Sequence, residues 1–188
     1  MPQGISESQK MKLSLHRVFI LIAALFFALA TGMTAAQAAT TINPAAAPTG
    51  THLQTGSIGC SVNPTTELVT CSGFELAGVG NSNATATLTA TYTATVQCRN
   101  HGGQIVEVKS QVTTAPTSTG SLSPKNGRLT VPELTSGPVP TAEDFIAKAT
   151  CPNGNWTKEL LGNTITLSSF TYTLHFAGFT GDYITITG

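Results

Sequence analysis

Charged residues make up only 10% of this 188-residue chain and aromatic residues 6%, with a single tryptophan. Each scarcity removes a class of function. Nine Lys/Arg stand against nine Asp/Glu, and nowhere do basic residues cluster densely enough to give the electrostatic footprint of a nucleic-acid or anionic-membrane binder. Nucleic acid is therefore excluded as an expected partner. The chain contains no G-x-S-x-G, no H-E-x-x-H and no C-x-x-C, so the spacings that assemble a nucleophile elbow or a zinc site are missing. Gly78-Val79-Gly80 lacks the third glycine and the strand-to-helix setting of a nucleotide loop. Neither a cofactor nor a metal is expected. One long apolar run exists, Val18 to Ala30, and it falls short of the roughly 20 residues that a spanning helix needs.

That run has a different context. Lys10, Lys12 and Arg17 precede it and Ala36-Gln37-Ala38 follows, the basic, apolar and small-residue layout of a secretory signal peptide over residues 1–38. Translation from Met1 or from Met11 gives the same layout. Cleavage near Ala38 implies a secreted, extracellular protein with no membrane span. Glu7 leaves with the three basic residues, so the remaining 39–188 carries six basic and eight acidic side chains. Residues 39–56 are Ala, Thr, Pro and Gly with little to bury, and read as a flexible N-terminal arm. Residues 57–188 are of a size that one hydrophobic core fills, and read as a single domain.

All four cysteines, Cys60, Cys71, Cys98 and Cys151, follow the leader, and an even count in an exported chain reads as disulfides. Three pairings satisfy four cysteines. Cys60 with Cys71 and Cys98 with Cys151 is favoured, because Asn63-Pro64-Thr65-Thr66 is a turn sequence that folds the first pair together.

Strand signals dominate the remainder. From Ala84 to Cys98 the chain alternates, with Thr85, Thr87, Thr89, Thr91, Thr93 and Thr95 on one face. Ala84, Ala86, Leu88, Ala90, Tyr92, Ala94, Val96 and Cys98 form the other. Period two with β-branched residues predicts a half-buried strand whose second face is core. At fifteen residues it predicts a bend or bulge, and the parity of Cys98 predicts an inward bridge between packed sheets. Val106, Val108, Ser110 and Val112 continue the pattern after the turn residues Arg99 to Gly103. Ala115 to Ser121 reads as an exposed loop, and Asn126-Gly127 as a hairpin turn between strands at 121–125 and 128–133.

Thr141 with Asp144 resembles a capping box, which predicts one short helix over 141–149. Strands return at 156–161, 164–167, 170–176 and 183–187. Ile165 and Leu167 oppose the parity of Phe170, Tyr172, Leu174 and Phe176, so a bulge is expected near Ser168-Ser169. The sum is an all-β fold, a disulfide-stabilised antiparallel β-sandwich, Ig-like in style, with at most one short helix.

Two features point to binding. Thr87, Thr89, Thr91 and Thr93 present hydroxyls and methyls along one strand, and further T-x-T triplets occur at 164–166, 171–173 and 185–187. Ice-binding surfaces resemble such arrays, but theirs repeat at a fixed period and these triplets are unevenly spaced. The second feature is Trp156, Phe179 and Tyr183 near strand ends, where rings stack on sugar faces or pack in a core. His52, His101 and His175 have no ligand spacing and read as surface residues. Glu67, Glu75 and Asp182 are the carboxylates to consider for glycosidase-like chemistry.

The leader, the Cys71 to Cys98 spacing around a Thr/Ala strand, and Cys151-Pro152-Asn153-Gly154-Asn155-Trp156 together resemble small exported proteins of unknown function from Gram-positive bacteria. The resemblance implies export and an all-β fold, and no activity. The expected function is a non-enzymatic, threonine-rich module of the cell surface or envelope that contacts an extracellular protein or glycan. The rivals are a secreted hydrolase of unrecognised class, and a soluble effector or inhibitor presenting the segment from Thr113 to Gly127.

Overall fold

A computed structural model describes residues 38–188. The expected leader lies, but for Ala38, outside the described residues. The fold is built on β6 (Ala84–Arg99), the alternating strand, whose inner face is buried from Ala84 to Cys98 while most of its threonines stay half-buried outside. Both of its edges are occupied along their length. On one side lie β12 (Thr166–Phe176), which pairs with residues 84–93, and β11 (Thr157–Leu160), which pairs with 96–99. On the other lie β7 (Ile105–Thr113) and the two-residue β8 (Thr117–Ser118). Beyond β12 the sheet continues through β13 (Ile184–Thr187) to its edge strand β1 (Ala39–Ile42), giving seven antiparallel strands.

β6 keeps an unbroken register with β7 over residues 91–99, with no bulge there. The extra residue is in β12, where the register with β6 shifts between Leu167 and Ser169. That is the bulge the parity of Leu167 against Phe170 required. Glu67 holds it, accepting from the Leu167 amide at 3.0 Å, and the Glu67 carbonyl in turn accepts from the Tyr92 hydroxyl at 3.0 Å.

The second layer has three runs of chain, each broken once. β2 (His52–Gly56), β5 (Phe74–Ala77) and β9 (Arg128–Val131) form one three-stranded sheet. β3 (Cys60–Val62), β4 (Val69–Cys71) and β10 (Leu134–Thr135) form the other. The breaks align. A Cβ on Gly56 would lie 2.8 Å from the Gly73 carbonyl, and one on Gly73 would lie 3.0 Å from the Glu133 amide, beside Pro132. The three backbones converge where only glycine fits and where proline cannot donate, so the ladder stops there and restarts. Val69, Cys71, Phe74, Leu76, Leu129, Val131 and Leu134 join the inner residues of β6, β12 and β13 in one core cluster, the interior of a sandwich.

A helix closes the other end. α1 (Ala142–Lys148) begins at the predicted capping box, with Thr141 N donating to Asp144 Oδ2 at 2.8 Å and Asp144 N to Thr141 Oγ1 at 3.4 Å. It packs against β7, β11 and β6. Phe145 is fully buried, and the buried Ser110 hydroxyl of β7 donates to the Phe145 carbonyl at 2.8 Å. Lys158 Nζ donates to the Ala149 carbonyl at 2.7 Å, a cation on the orphan carbonyls of the helix end.

Both disulfides pair as favoured, with a correction to geometry. Cys60 and Cys71 face each other across β3 and β4, around the turn in which Asn63 Oδ1 accepts from Thr65 N and Thr66 N. Cys98 does point inward, but Cys151 lies just past α1, so this bridge ties the helix end to β6 and does not join the two layers.

Residues 39–56 are not a flexible arm. They form β1, a short 3-10 turn at Pro44–Ala46 and β2, with Ala46 and Ala47 buried. The composition misled because the order comes from backbone pairing with β13 and β5, which needs no large side chain. The Asn126-Gly127 turn forms, with Lys125 and Arg128 exchanging backbone bonds at 2.8 and 3.0 Å, but it does not join two paired strands. β9 takes β5 as its partner, and residues 121–125 contribute only the isolated bridges at Leu122 and Lys125.

Candidate functional site

Strand register, invisible in the unevenly spaced triplets, gathers the threonines. On the outer face Thr87 of β6 pairs with Thr173 of β12, which pairs with Thr185 of β13, which pairs with Thr41 of β1. Ser118 of β8 extends this rank on the far side of Thr87. The next rank runs Thr89, Thr171, Thr187, Ala39. A third runs Thr113, Thr91, Ser169, and a fourth Gln111, Thr93, Thr166. Unequal spacing along the chain becomes alignment across it, because antiparallel pairing sets each position by register and not by sequence distance.

The outer face changes character past Thr93. Lys109 stands opposite Thr95, Glu107 and Glu159 flank Gln97, and Thr157 and Ile105 flank Arg99. Hydroxyls there serve the protein. Thr93 Oγ1 donates to the Ser110 carbonyl at 3.3 Å, Lys109 Nζ donates to Thr95 Oγ1 at 2.7 Å, and Thr164 Oγ1 accepts from Thr95 N at 3.1 Å. Thr91 and Thr113 share a hydrogen bond at 3.0 Å. Among the described residues, Thr87, Thr89, Thr171, Thr173, Thr185 and Thr187 have no such partner for their hydroxyls. These are half-buried or exposed.

The aromatic set is not brought together. Tyr183 is 4% exposed, its ring edge-on to Phe176 at 5.6 Å, and its hydroxyl donates to the Thr51 carbonyl at 3.4 Å. Phe179 meets the same Phe176 at 6.4 Å. Trp156 precedes β11, which pairs with the opposite end of β6. Tyr183 is core and Phe179 lies at the core margin, and Trp156 is a separate, half-buried ring. They form no common platform.

The carboxylates also stay apart. Glu67 is occupied by the β12 bulge, Glu75 pairs with Arg128 at 3.1 Å, and Asp182 lies 3.5 Å from His175. The exposed His52 ring bonds the Gly50 carbonyl at 2.8 Å, and His101 sits in the β6–β7 turn. Among the described residues no three His, Cys, Asp or Glu side chains gather as a metal cluster would require. The polar exception in the core is Tyr172. Its hydroxyl has no partner, and burial pushes its pKa up to about 12.

The segment from Thr113 to Gly127 is not a free loop. Thr114 N donates to the Ala90 carbonyl, Thr119 N to the Ala86 carbonyl, and Leu122 exchanges bonds with Ala84, so the segment lies along the edge of β6. Thr87, Thr89, Thr91 and Thr93 are legible in the sequence, whereas Thr41 and Ser118 are not, because one lies in a stretch with the composition of an arm and the other in one with that of a loop. Their only signal is the register itself.

The two disulfides leave no free cysteine among the described residues, the chemistry of an oxidising compartment. No helix among them is long and apolar enough to cross a membrane. Comparison with protein-family models, with curated proteins and with solved structures finds no match.

Proposed function

We propose that this protein is exported and works without catalysis, as a cell-surface or envelope module whose binding surface is the hydroxyl face of the large sheet. The observation that carries this reading is the set of aligned threonine ranks whose hydroxyls are not used within the protein. A hydroxyl that bonds nothing internal contributes little to the fold, and here such hydroxyls are grouped on one rigid sheet. Its central strand is paired on both edges. Export is supported by the three-part leader and by the disulfides.

The hydrolase reading has less to rest on, since Glu67, Glu75 and Asp182 each engage a different partner. The loop-effector reading loses its loop to the edge of β6. Fractionation of native cultures into medium and envelope tests the proposal. Retention in the envelope, or a discrete multimer, that is lost with Thr171→Lys or Thr173→Lys is expected. Free monomer in the medium, indifferent to both substitutions, would count against it.

A further inference from the structure

The ranks form a two-dimensional mesh. Neighbouring strands repeat at about 4.8 Å and alternate residues along a strand at about 6.7 Å. Thr87, Thr173 and Thr185 make one row, and Thr89, Thr171 and Thr187 the next. Every node carries one hydroxyl and one methyl. No charged or aromatic side chain interrupts these two rows; His175 stands opposite Thr85 at their margin, facing Asp182, and in the processed protein the amino group of Ala39 lies at the end of the second row, across from Thr187.

Those absences select the ligand. An ionic partner finds no counter-charge on these rows. A sugar ring finds no aromatic face on which to stack, because Phe179 and Tyr183 turn toward Phe176 and Trp156 lies at the far end of β6. Protein interfaces draw their energy from Tyr, Trp and Arg anchors, with Ser and Thr under-represented, and none of those anchors stands here. A surface that is itself uncharged, periodic and made of hydrogen-bond donors and acceptors suits the mesh best. Resting on the reading of this face as the binding surface, we infer that its ligand is the ice lattice. Unused hydroxyls bond lattice water, while the methyls between them keep that water ordered in rows. The mesh is of the same order as the oxygen repeats on a prism face of hexagonal ice.

Two structural facts support the assignment. The rows cross β12 at Thr171 and Thr173, where that strand is paired on both sides, so backbone fluctuation is least able to blur the spacing there; only Thr187 lies at a strand end. Inward hydroxyl use stops where the uncharged field begins, at Thr91 and Thr93. Sheet twist sets the scale of the effect. At roughly 20–25° between neighbouring strands, the match extends over two or three strands before the surface turns away. Reshaped crystals and slowed recrystallisation are expected, with only a small gap between melting and freezing.

The natively processed, oxidised protein is equilibrated with slowly growing ice beside an inert protein of similar size. Partition into the ice and recrystallisation are measured for wild type, Thr171→Lys, Thr173→Lys and the charged-half control Glu107→Lys, with thermal unfolding of each. Several-fold enrichment of wild type and control in ice, lost in both threonine variants at unchanged melting temperature, is the expected result. Exclusion of wild type together with the inert protein overturns the ice assignment, as does equal uptake of wild type and both variants. If wild type is excluded from ice but the threonine variants still lose envelope retention, the binding face stands and only its ligand is wrong. If neither readout moves, both readings fall.

Discussion

The two halves of β6 share one alternation of buried and outward residues but solve the problem of stability differently. From Ala84 to Thr93 the strand is backed by the broken three-stranded layer, and from Thr87 onward no charged side chain stands beside its outer threonines. From Ala94 to Arg99 it is backed by α1, its outer neighbours are Lys109, Glu107 and Glu159, and a disulfide closes the end. The first half has sheet on both flanks and beneath it. The second is flanked by β7 and the four-residue β11, and beneath it lies a seven-residue helix, too short to be stable in isolation. Charged side chains, a lysine on the helix end and a covalent bridge appear where the second sheet layer runs out. The uncharged face is thus located where the fold has least need of surface charge.

Removing the Cys98–Cys151 bridge tests this contrast most severely. Its longer loop predicts a loss of about 4 kcal/mol against about 3 kcal/mol for Cys60–Cys71, by chain entropy alone. Denaturant unfolding of the two double Cys→Ser variants is expected to rank them in that order, with amide exchange rising first in α1 and β11. The reverse ranking would mean that the helix end holds itself. Next in size is Glu67→Ala, which leaves the Leu167 amide at the β12 bulge without its carboxylate partner and should cost about 1–2 kcal/mol. Glu67→Gln should recover part of this, because the amide oxygen still accepts.

Tyr172 sharpens the comparison from within the first half. Its orphan hydroxyl carries a desolvation cost, so Tyr172→Phe should be neutral or stabilising by up to about 1 kcal/mol. The pH dependence has a definite sign. The folded pKa is pushed up to about 12 from 10.0, so between those values the unfolded chain has lost the proton and the folded one retains it. Wild-type stability should fall as pH rises through that window, and Tyr172→Phe should flatten this part of the slope. The smallest effect is expected on the face itself. Thr89→Val and Thr173→Val keep the β-branched shape and remove a hydroxyl with no internal partner, so unfolding free energy should move by less than about 0.5 kcal/mol. A loss well above that would show the hydroxyls to be structural and would weaken the binding reading.

Much of the sheet was legible because period-two alternation reports burial directly. β6, β7, β12, the helix cap and both cysteine pairs follow from local residues. The bulge at Ser168 was legible too, since a parity conflict has no other remedy in a continuous strand. What was not legible depends on partners distant in the chain. β1 and β2 contain no apolar pattern and are ordered by β13 and β5, while β9 passes over its sequence neighbour to pair with β5. The face was half legible for the same reason. Thr87 to Thr93 announce themselves, but whether 171–173 and 185–187 extend or scatter the array is decided only by register.

The pairing of β1 with β13 bears on how the domain carries load. Ala39 stands directly across from Thr187, so the two strand ends meet side by side at one corner of the sheet. Tension applied between those ends falls on one rung at a time, peeling the ladder from Ala39 toward Ile42 at low force. Thr171 stands in the same rank as Ala39, two strands away, so tension between Ala39 and a contact made on that face also runs across the strands and opens β1 first. A molecule tethered by its N-terminal end and gripping through that face would release β1 while β12 and β6 kept their hold.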